Sequence, residues 1–172
     1  MCAAPMSLAA APASPPIVTE RPKDVSAVDA LILRAFGPGR FAKAAERLRE
    51  GREPCRDLSF VAWDDGRIVG CVRLWAVKVG ETPSIFLGPI AVEADYRKQG
   101  LGAALVERAC AATARAGHAS IVLVGDTPFF GPLGFVAAPR VTMPGPVDRR
   151  RVLARALRPD ADQALEGLVS AA

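Results

Sequence analysis

Residues 87–106 read LGPIAVEADYRKQGLGAALV, and this stretch decides the fold. Its apolar residues predict a strand that ends at Val92, and a short polar loop follows. A helix is predicted to begin near Gly100, and its helical spacing predicts an apolar side made of Leu101, Leu105, Val106, Ala109 and Cys110. Gly100 and Gly102 let the backbone approach a ligand closely, because glycine carries no Cβ.

The start of this helix is suited to binding an anion. The first N–H groups of a helix have no partner inside it, and the helix dipole makes that end positive. Arg97 and Lys98 add full charges, so the spacing Arg97-x-x-Gly100-x-Gly102 predicts a pyrophosphate site. The alternative, which the glycines alone leave open, is close packing of the helix on a sheet.

Two other nucleotide-binding motifs do not fit the same stretch. A dinucleotide-binding Gly-x-Gly-x-x-Gly needs glycine or alanine where Leu105 stands, and it follows its strand directly. A P-loop needs Gly-Lys-Ser or Gly-Lys-Thr, which occurs nowhere in the sequence.

The pair Gly88-Pro89 interrupts the strand before the loop. Because proline cannot donate to a sheet ladder, it is confined to edge strands and bulges. A bulge would part this strand from its neighbour and leave backbone groups available to an extended ligand. A simple edge strand explains the proline equally well.

The flanking sequence predicts a mixed sheet flanked by helices, because hairpins and one long crossover helix share a short chain. Asp64-Asp65-Gly66 predicts a hairpin turn, and Asp24 is predicted as a helix N-cap. In the second helix, Ala44, Ala45 and Leu48 are predicted to face inward, and Lys43, Glu46, Arg47 and Arg49 outward. The predicted strands are residues 17–20, 58–63, 67–77, 84–92, 119–124, 134–136 and 151–157; the predicted helices are residues 24–36, 41–50, 100–116 and 159–169, with one further turn within residues 126–134.

Composition limits the class of protein. The 172 residues fit one domain, residues 17–172, behind a disordered tail at residues 1–16 that lacks the positive region of a signal peptide. The net charge of +4 accompanies no basic stripe interleaved with aromatics, so no nucleic acid partner is expected. No apolar run reaches the roughly 20 residues of a membrane span.

The four cysteines are irregularly spaced and accompany one histidine, so no metal site is expected. They are interpreted as free thiols of a cytoplasmic protein, with Cys71 and Cys110 buried.

Residues 60–136 resemble the GNAT superfamily of N-acetyltransferases, and are most similar to its YhbS-type group. Arg97, Gly100 and Gly102 match the family's Arg/Gln-x-x-Gly-x-Gly/Ala signature. The segment LGPIAV precedes the signature, and GHASIVLVGD and TPFFGPLGF follow it. The resemblance implies an α/β fold with a mostly antiparallel sheet, splayed between its fourth and fifth strands.

The resemblance implies an acetyl-CoA-dependent N-acetyltransferase, monomeric or homodimeric, that acetylates a primary amine of a small molecule or a protein. The acceptor pocket would be built from the first helices and from loops such as residues 80–83. The Val92 amide would stabilise the oxyanion, and Asp126 is a candidate for amine binding or base catalysis, or else a turn or cap residue. The residues implied to contact acetyl-CoA, used as co-substrate, are Ile90, Ala91, Val92, Arg97, Lys98, Gln99, Gly100, Leu101, Gly102, Ala103, Phe129 and Phe130.

The sequence departs from the family at the proton-transfer positions. Many relatives carry a tyrosine where Phe129 and Phe130 stand, and a phenyl ring cannot donate a proton. Several relatives also carry a glutamate on the strand before the signature, where residues 85–88 are Ile, Phe, Leu and Gly. A non-catalytic acyl-CoA-binding or regulatory domain is therefore the alternative. An acyltransferase that uses a longer acyl-CoA or a different tethered donor is a third.

Overall fold

The structure, a computed structural model, describes residues 14–39, 44–161 and 165–172. Residues 1–13 of the predicted tail and residues 41–43 of the predicted second helix lie outside this part of the chain. The described strands are β1 Ile17–Thr19, β2 Phe60–Asp64, β3 Arg67–Val79, β4 Thr82–Val92, β5 Ser120–Val124, β6 Val136–Ala137, β7 Val141–Thr142, β8 Val152–Ala156 and β9 Gly167–Ala171. The described α-helices are α1 Val25–Phe36, α2 Ala44–Arg47, α3 Leu101–Arg115 and α4 Thr127–Phe130.

The strands form a mixed sheet in the order β1-β2-β3-β4-β5-β8-β6. Strands β4 and β5 run parallel, whereas the other neighbours along this path are antiparallel. Strand β9 pairs with the far end of β3 and with β7. The predicted fold class is confirmed.

Helices cover both faces of the sheet. Helix α3 buries its predicted apolar side, including Leu105 and Val106, against one face. Helix α1 packs Leu31 and Ile32 on the other face, beside Cys71. Since each fully buried aliphatic side chain contributes about 1.5–3 kcal/mol, these contacts hold the layers together.

The seam between β4 and β5 is closed at one end and open at the other. At the closed end the buried Ser84 Oγ lies 2.9 Å from Ser120 Oγ and donates to the Ser120 carbonyl at 3.1 Å. Pairing between the strands covers Ile85–Ile121 and Phe86–Val122. Beyond Phe86 the strands diverge, which confirms the predicted splay.

Strand β4 contains a bulge beside this opening. Its register with β3 places Leu87 opposite Leu74 and Ile90 opposite Val72. Gly88 and Pro89 therefore face the single residue Arg73, a two-against-one arrangement. Because β4 pairs with both β3 and β5, it is not a simple edge strand. Pro89 lies in a bulge beyond Phe86, where the edge of β4 toward β5 is open.

The predicted terminal helix at residues 159–169 is wrong. Residues 162–164 lie outside the described part of the chain, and Gly167–Ala171 forms β9. Strand β3 extends beyond its pairing with β2, and β9 pairs with the exposed edge from Val77 to Val79. Burial of Val169 beside exposed Leu168 shows the two-residue period of a strand, so tertiary pairing overrides local helix propensity.

Asp24 stands at the predicted N-cap position of α1, but its side chain does not cap that helix. Its carboxylate accepts a hydrogen bond from the Arg21 amide at 2.9 Å. This bond closes the 3-10 turn Pro22–Asp24, and Asp24 makes no side-chain cap on α1 itself. The side chain therefore acts one turn earlier than predicted.

Candidate functional site

A cavity of about 860 Å³ occupies the opening between β4 and β5. Two walls flank the opening itself: the open end of β4 and the segment from β5 to α4. The others come from the loop before α3 with the first turn of α3, from the α1–α2 region, and from the segment at residues 146–151. The lining residues are Phe36, Ala45, Glu46, Arg49, Phe86, Leu87, Gly88, Pro89, Ile90, Val92, Tyr96, Arg97, Lys98, Gly100, Gly102, Ala103, Val124, Gly125, Asp126, Phe129, Phe130, Pro146, Val147, Asp148 and Arg151.

The predicted anion site forms one end of this cavity. Lys98 and Gly100 both have left-handed backbone conformations, with φ of 61° and 82°. Left-handed residues in such a loop can turn successive N–H groups toward a common point and form an anion-binding concavity. The first bond within α3 runs from the Ala104 amide to the Gly100 carbonyl at 3.0 Å. The amides that precede Ala104 in the first turn have no acceptor within the helix.

Gly102 leaves the cavity wall open where a larger side chain would fill it. A Cβ at this position would lie 3.4 Å from the Phe129 ring and 3.8 Å from Val92 Cγ2. The glycine therefore keeps a passage open between the start of α3 and the end of β4. We name the segment from Arg97 to Ala103 the cradle.

Side chains join the cradle to the sheet. Arg97 Nε donates to the Val92 carbonyl at 3.0 Å, and Gln99 Nε2 donates to the Asp95 carbonyl at 2.6 Å. The Tyr96 hydroxyl donates to the Asp64 carboxylate in the β2–β3 turn. This bond to a carboxylate favours the neutral phenol and raises the pKa of Tyr96. Tyr96 thus supports the loop, as its position beneath the signature suggests.

The open edge of β4 presents two residues to the cavity. The Glu93 amide donates to the Val69 carbonyl at 2.9 Å. Because hydrogen-bonded pairs alternate along an antiparallel ladder, the main-chain groups of Ala91 also face β3. Those of Ile90 and Val92 point the other way, into the cleft left by β5.

The opposite end of the cavity contains a largely buried ion pair. Arg49 Nη1 lies 3.2 Å from Glu46 Oε2, and these side chains are 12% and 18% exposed. The Arg49 guanidinium packs 5.6 Å from the centre of the Phe86 ring, and its Nη2 would lie 3.4 Å from a Cβ on Gly88. We call this part of the cavity, around Glu46, Arg49 and Phe86, the acceptor end.

Glu46 and Arg49 correct the sequence prediction, which assigned them to the solvent face of a helix. The amphipathic pattern correctly predicted that Leu48 is buried. The pattern could not predict that the charged face lies against a cavity, because that cavity is formed by the distant residues of β4. The predicted contribution of residues 80–83 is also corrected: the cavity lining comes from residues 146–151 instead, and Gly80 bonds to Leu168 of β9.

Asp126 faces the cavity, but its carboxylate is 72% exposed and lies 3.1 Å from Arg151 Nε. Its main-chain carbonyl accepts bonds from the Phe129 and Phe130 amides and so begins α4. The carboxylate makes no capping hydrogen bond. The backbone of Asp126 thus begins α4, and its side chain forms an ion pair with Arg151.

The other residues predicted to contact a cofactor divide into two groups. Phe129 is 41% exposed and lines the cavity, and Phe130 packs edge-on against it with ring centres 4.7 Å apart. The side chains of Ala91 and Leu101 are buried in the core, and Gln99 bonds within its own loop. These last three do not line the cavity.

Among the described residues, no group of three or more His, Cys, Asp and Glu side chains is arranged to hold a metal ion. Within the same ranges, every helix is too short or too polar to span a bilayer.

Comparison with known proteins identifies this arrangement. The model of the acetyltransferase (GNAT) family matches residues 26–131. The uncharacterized N-acetyltransferase YhbS of Escherichia coli strain K12 is 35% identical over 125 residues, which are 71% of this chain and 74% of that protein.

Two solved structures share the fold. The crystal structure of Escherichia coli YhbS in complex with CoA has a TM-score of 0.81 and 29% identity, covering 95% of this chain and 93% of that one. A GNAT family acetyltransferase from Brucella melitensis in complex with acetyl-CoA has a TM-score of 0.68 and 24% identity, covering 91% and 94%. With the splayed strands and the cradle in place, the chain belongs to the GNAT family of acetyltransferases.

Proposed function

We propose that this protein transfers an acetyl group from acetyl-CoA directly to a primary amine of a small molecule or a protein. One observation carries the proposal: a single cavity joins the cradle to an enclosed carboxylate, Glu46, across the open backbone edge of β4. Such a passage suits a reaction in which donor and acceptor meet without a covalent enzyme intermediate.

The residues present fit acetyl-CoA as donor. The cradle offers backbone amides and the charges of Arg97 and Lys98 to a diphosphate. From there the cleft edge of β4 offers first the main chain of Val92 and then that of Ile90 to an extended arm that carries amide groups. Phe129 would cover the arm from the side of α4.

The backbone also supplies the donor for an oxyanion. Val92 lies against Gly102 at the cradle, whereas Ile90 lies two residues further along, about 7 Å toward the acceptor end. The sequence predicted this role for the Val92 amide. Because the thioester stands at the far end of the arm, we propose the Ile90 amide as the competing donor. Either one would stabilise negative charge as the carbonyl carbon is attacked.

At the acceptor end, Glu46 is proposed to bind the incoming ammonium group and accept its proton. The neutral nitrogen then attacks the carbonyl carbon and the carbon–sulfur bond breaks. The surplus proton of the acylated nitrogen passes, directly or through water, to the released thiolate, so the products are the amide and the free thiol. A thiolate is a good leaving group, so the reaction does not require a tyrosine at Phe129 or Phe130. Asp126 is the second candidate base, disfavoured by its exposure and its pairing with Arg151.

Thiol release from acetyl-CoA across a panel of small amines and peptide N-termini, with mass spectrometry of the products, tests this proposal. We expect acetylated amine and free CoA in equal amounts. Binding of acetyl-CoA with no turnover of any amine would instead support the non-catalytic alternative. The signal from the protein's own thiols is subtracted with a control that contains enzyme but no acetyl-CoA.

We also propose a cytoplasmic location, because Cys55, Cys71 and Cys110 are free thiols. Titration of the denatured, unreduced protein should then find all four thiols of the sequence. Recovery of only two would indicate a disulfide and an oxidising compartment.

A further inference from the structure

Trp75 contacts the bulge of β4 from beneath the acceptor end. Its indole N–H donates to the Gly88 carbonyl at 2.6 Å, and the side chain is 5% exposed. The ring packs in a buried cluster with Leu48, Phe86 and Val122. The indole is therefore held by packing, and its hydrogen bond fixes the direction of one carbonyl group.

That carbonyl belongs to the part of β4 where the regular ladder is interrupted. Gly88 and Pro89 share one partner residue, Arg73, and proline has no N–H to donate. A buried carbonyl group at a bulge needs a hydrogen-bond donor from outside the ladder. The Trp75 indole supplies it.

Arg73 lies opposite the bulge on β3, and its side chain is on the same face of the sheet as Trp75. Its Nη2 lies 2.6 Å from Glu20 Oε1, and its Nη1 lies 2.6 Å from Asp29 Oδ1. Glu20 is buried at the end of β1, and Asp29 lies on α1. The residue opposite the bulge is thus anchored to two further elements, and the Trp75 bond restrains Gly88 of β4 directly.

We propose that Trp75 is a positioning residue for acetyl transfer: it holds Gly88 so that the Ile90 amide, two residues on, points into the cleft. This inference rests on the proposed function. Trp75 bonds to Gly88 and packs with Leu48, Phe86 and Val122, whereas the cradle consists of residues 97–103. Loss of the indole N–H should therefore slow the chemical step more than it weakens binding of the donor.

The test replaces each tryptophan of the chain in turn. Trp75→Phe keeps an aromatic ring but removes the donor, and we expect kcat to fall about ten-fold, as for a reacting group displaced by a fraction of an ångström. The Kd for CoA should stay within two-fold. The matched control Trp63→Phe, on β2, should change neither value by more than two-fold.

A second measurement leaves Trp75 intact. In the Trp63→Phe protein, Trp75 is the sole tryptophan, and its emission should change when CoA binds but not when ADP occupies the cradle alone. The proposal is overturned if Trp75→Phe lowers kcat and CoA affinity in parallel, if it changes neither, or if CoA leaves the emission unchanged. Wild-type turnover is measured first, so its absence would refute the proposed function while the emission experiment still tests the contact.

Discussion

The two ends of the cavity are built in different ways. The cradle comes from seven consecutive residues, and we propose that it binds through its backbone amides. It has glycine at positions 100 and 102 and a left-handed backbone at Lys98. The acceptor end brings Glu46 and Arg49 of the α2 region together with Phe86 of β4. A contiguous backbone motif can be recognised from spacing, whereas a pocket of distant side chains exists only after folding.

The strongest test of the cradle introduces a carboxylate into it. Gly102→Glu places negative charge and bulk where the helix start is positive, so the Kd for CoA should rise more than 100-fold. Calorimetric titration measures this, with circular dichroism to confirm folding. Gly102→Ala is the matched control, because it adds a side chain without charge. Its Cβ would contact the Phe129 ring at 3.4 Å, and the Kd for CoA should stay within about five-fold of wild type.

The corresponding test of the acceptor end removes one charge. Glu46→Gln keeps the shape of the side chain but cannot take a proton, so kcat/KM should fall about 100-fold with the Kd for CoA unchanged. Glu53→Gln is the control, because that carboxylate is 79% exposed and away from the cavity. If Asp126→Asn causes the loss and Glu46→Gln does not, Asp126 is the base.

Proline substitutions test the edge of β4 that lies between the cradle and the acceptor end of the cavity. Ile90→Pro and Val92→Pro each remove a cleft-facing N–H and spare the bonds to β3, whereas Ala91→Pro removes a ladder bond and should destabilise the protein. We expect Ile90→Pro to lower kcat about 30-fold, and Val92→Pro mainly to raise the KM for acetyl-CoA. The reverse result would return the oxyanion role to Val92.

The smallest effect is expected at Tyr96, which supports the cradle from below. The pKa of Tyr96 is higher in the folded protein than the ordinary phenol value of 10.0. The bond to Asp64 therefore stabilises the fold fully below pH 10.0, and this stabilisation is lost as the pH rises through the pKa of the folded protein. Tyr96→Phe should change kcat less than two-fold. Its melting temperature should differ from wild type by a constant amount up to about pH 9, and the difference should then disappear; a difference that persists at high pH would contradict the assigned bond.

Local chemistry explains which parts of the fold could be predicted. The Asp64-Asp65-Gly66 turn has positive φ at Asp65 and Gly66, as an Asp-Gly hairpin requires. Helix α3 buries the apolar positions that its period predicted. Strand β9 could not be predicted, because its residues form a strand only where β3 offers an exposed edge.

The same reasoning applies within the site. The positions of the glycines at the start of α3 predicted the cradle, and Gly88-Pro89 predicted the bulge once the edge-strand alternative was removed. Glu46 was missed because its charge fits a solvent-facing helix position equally well. Trp75 was missed because an indole in an apolar strand gives no indication of a carbonyl partner 13 residues away.

A crystal structure of the protein with CoA tests the central claim most directly. The account predicts diphosphate oxygens about 3 Å from the amides at the start of α3. It also predicts an arm hydrogen-bonded to Ile90 and Val92, and a thiol that lies between Gly88 and Glu46. A diphosphate bound away from residues 97–103, or an arm that does not contact the cleft edge of β4, would contradict it.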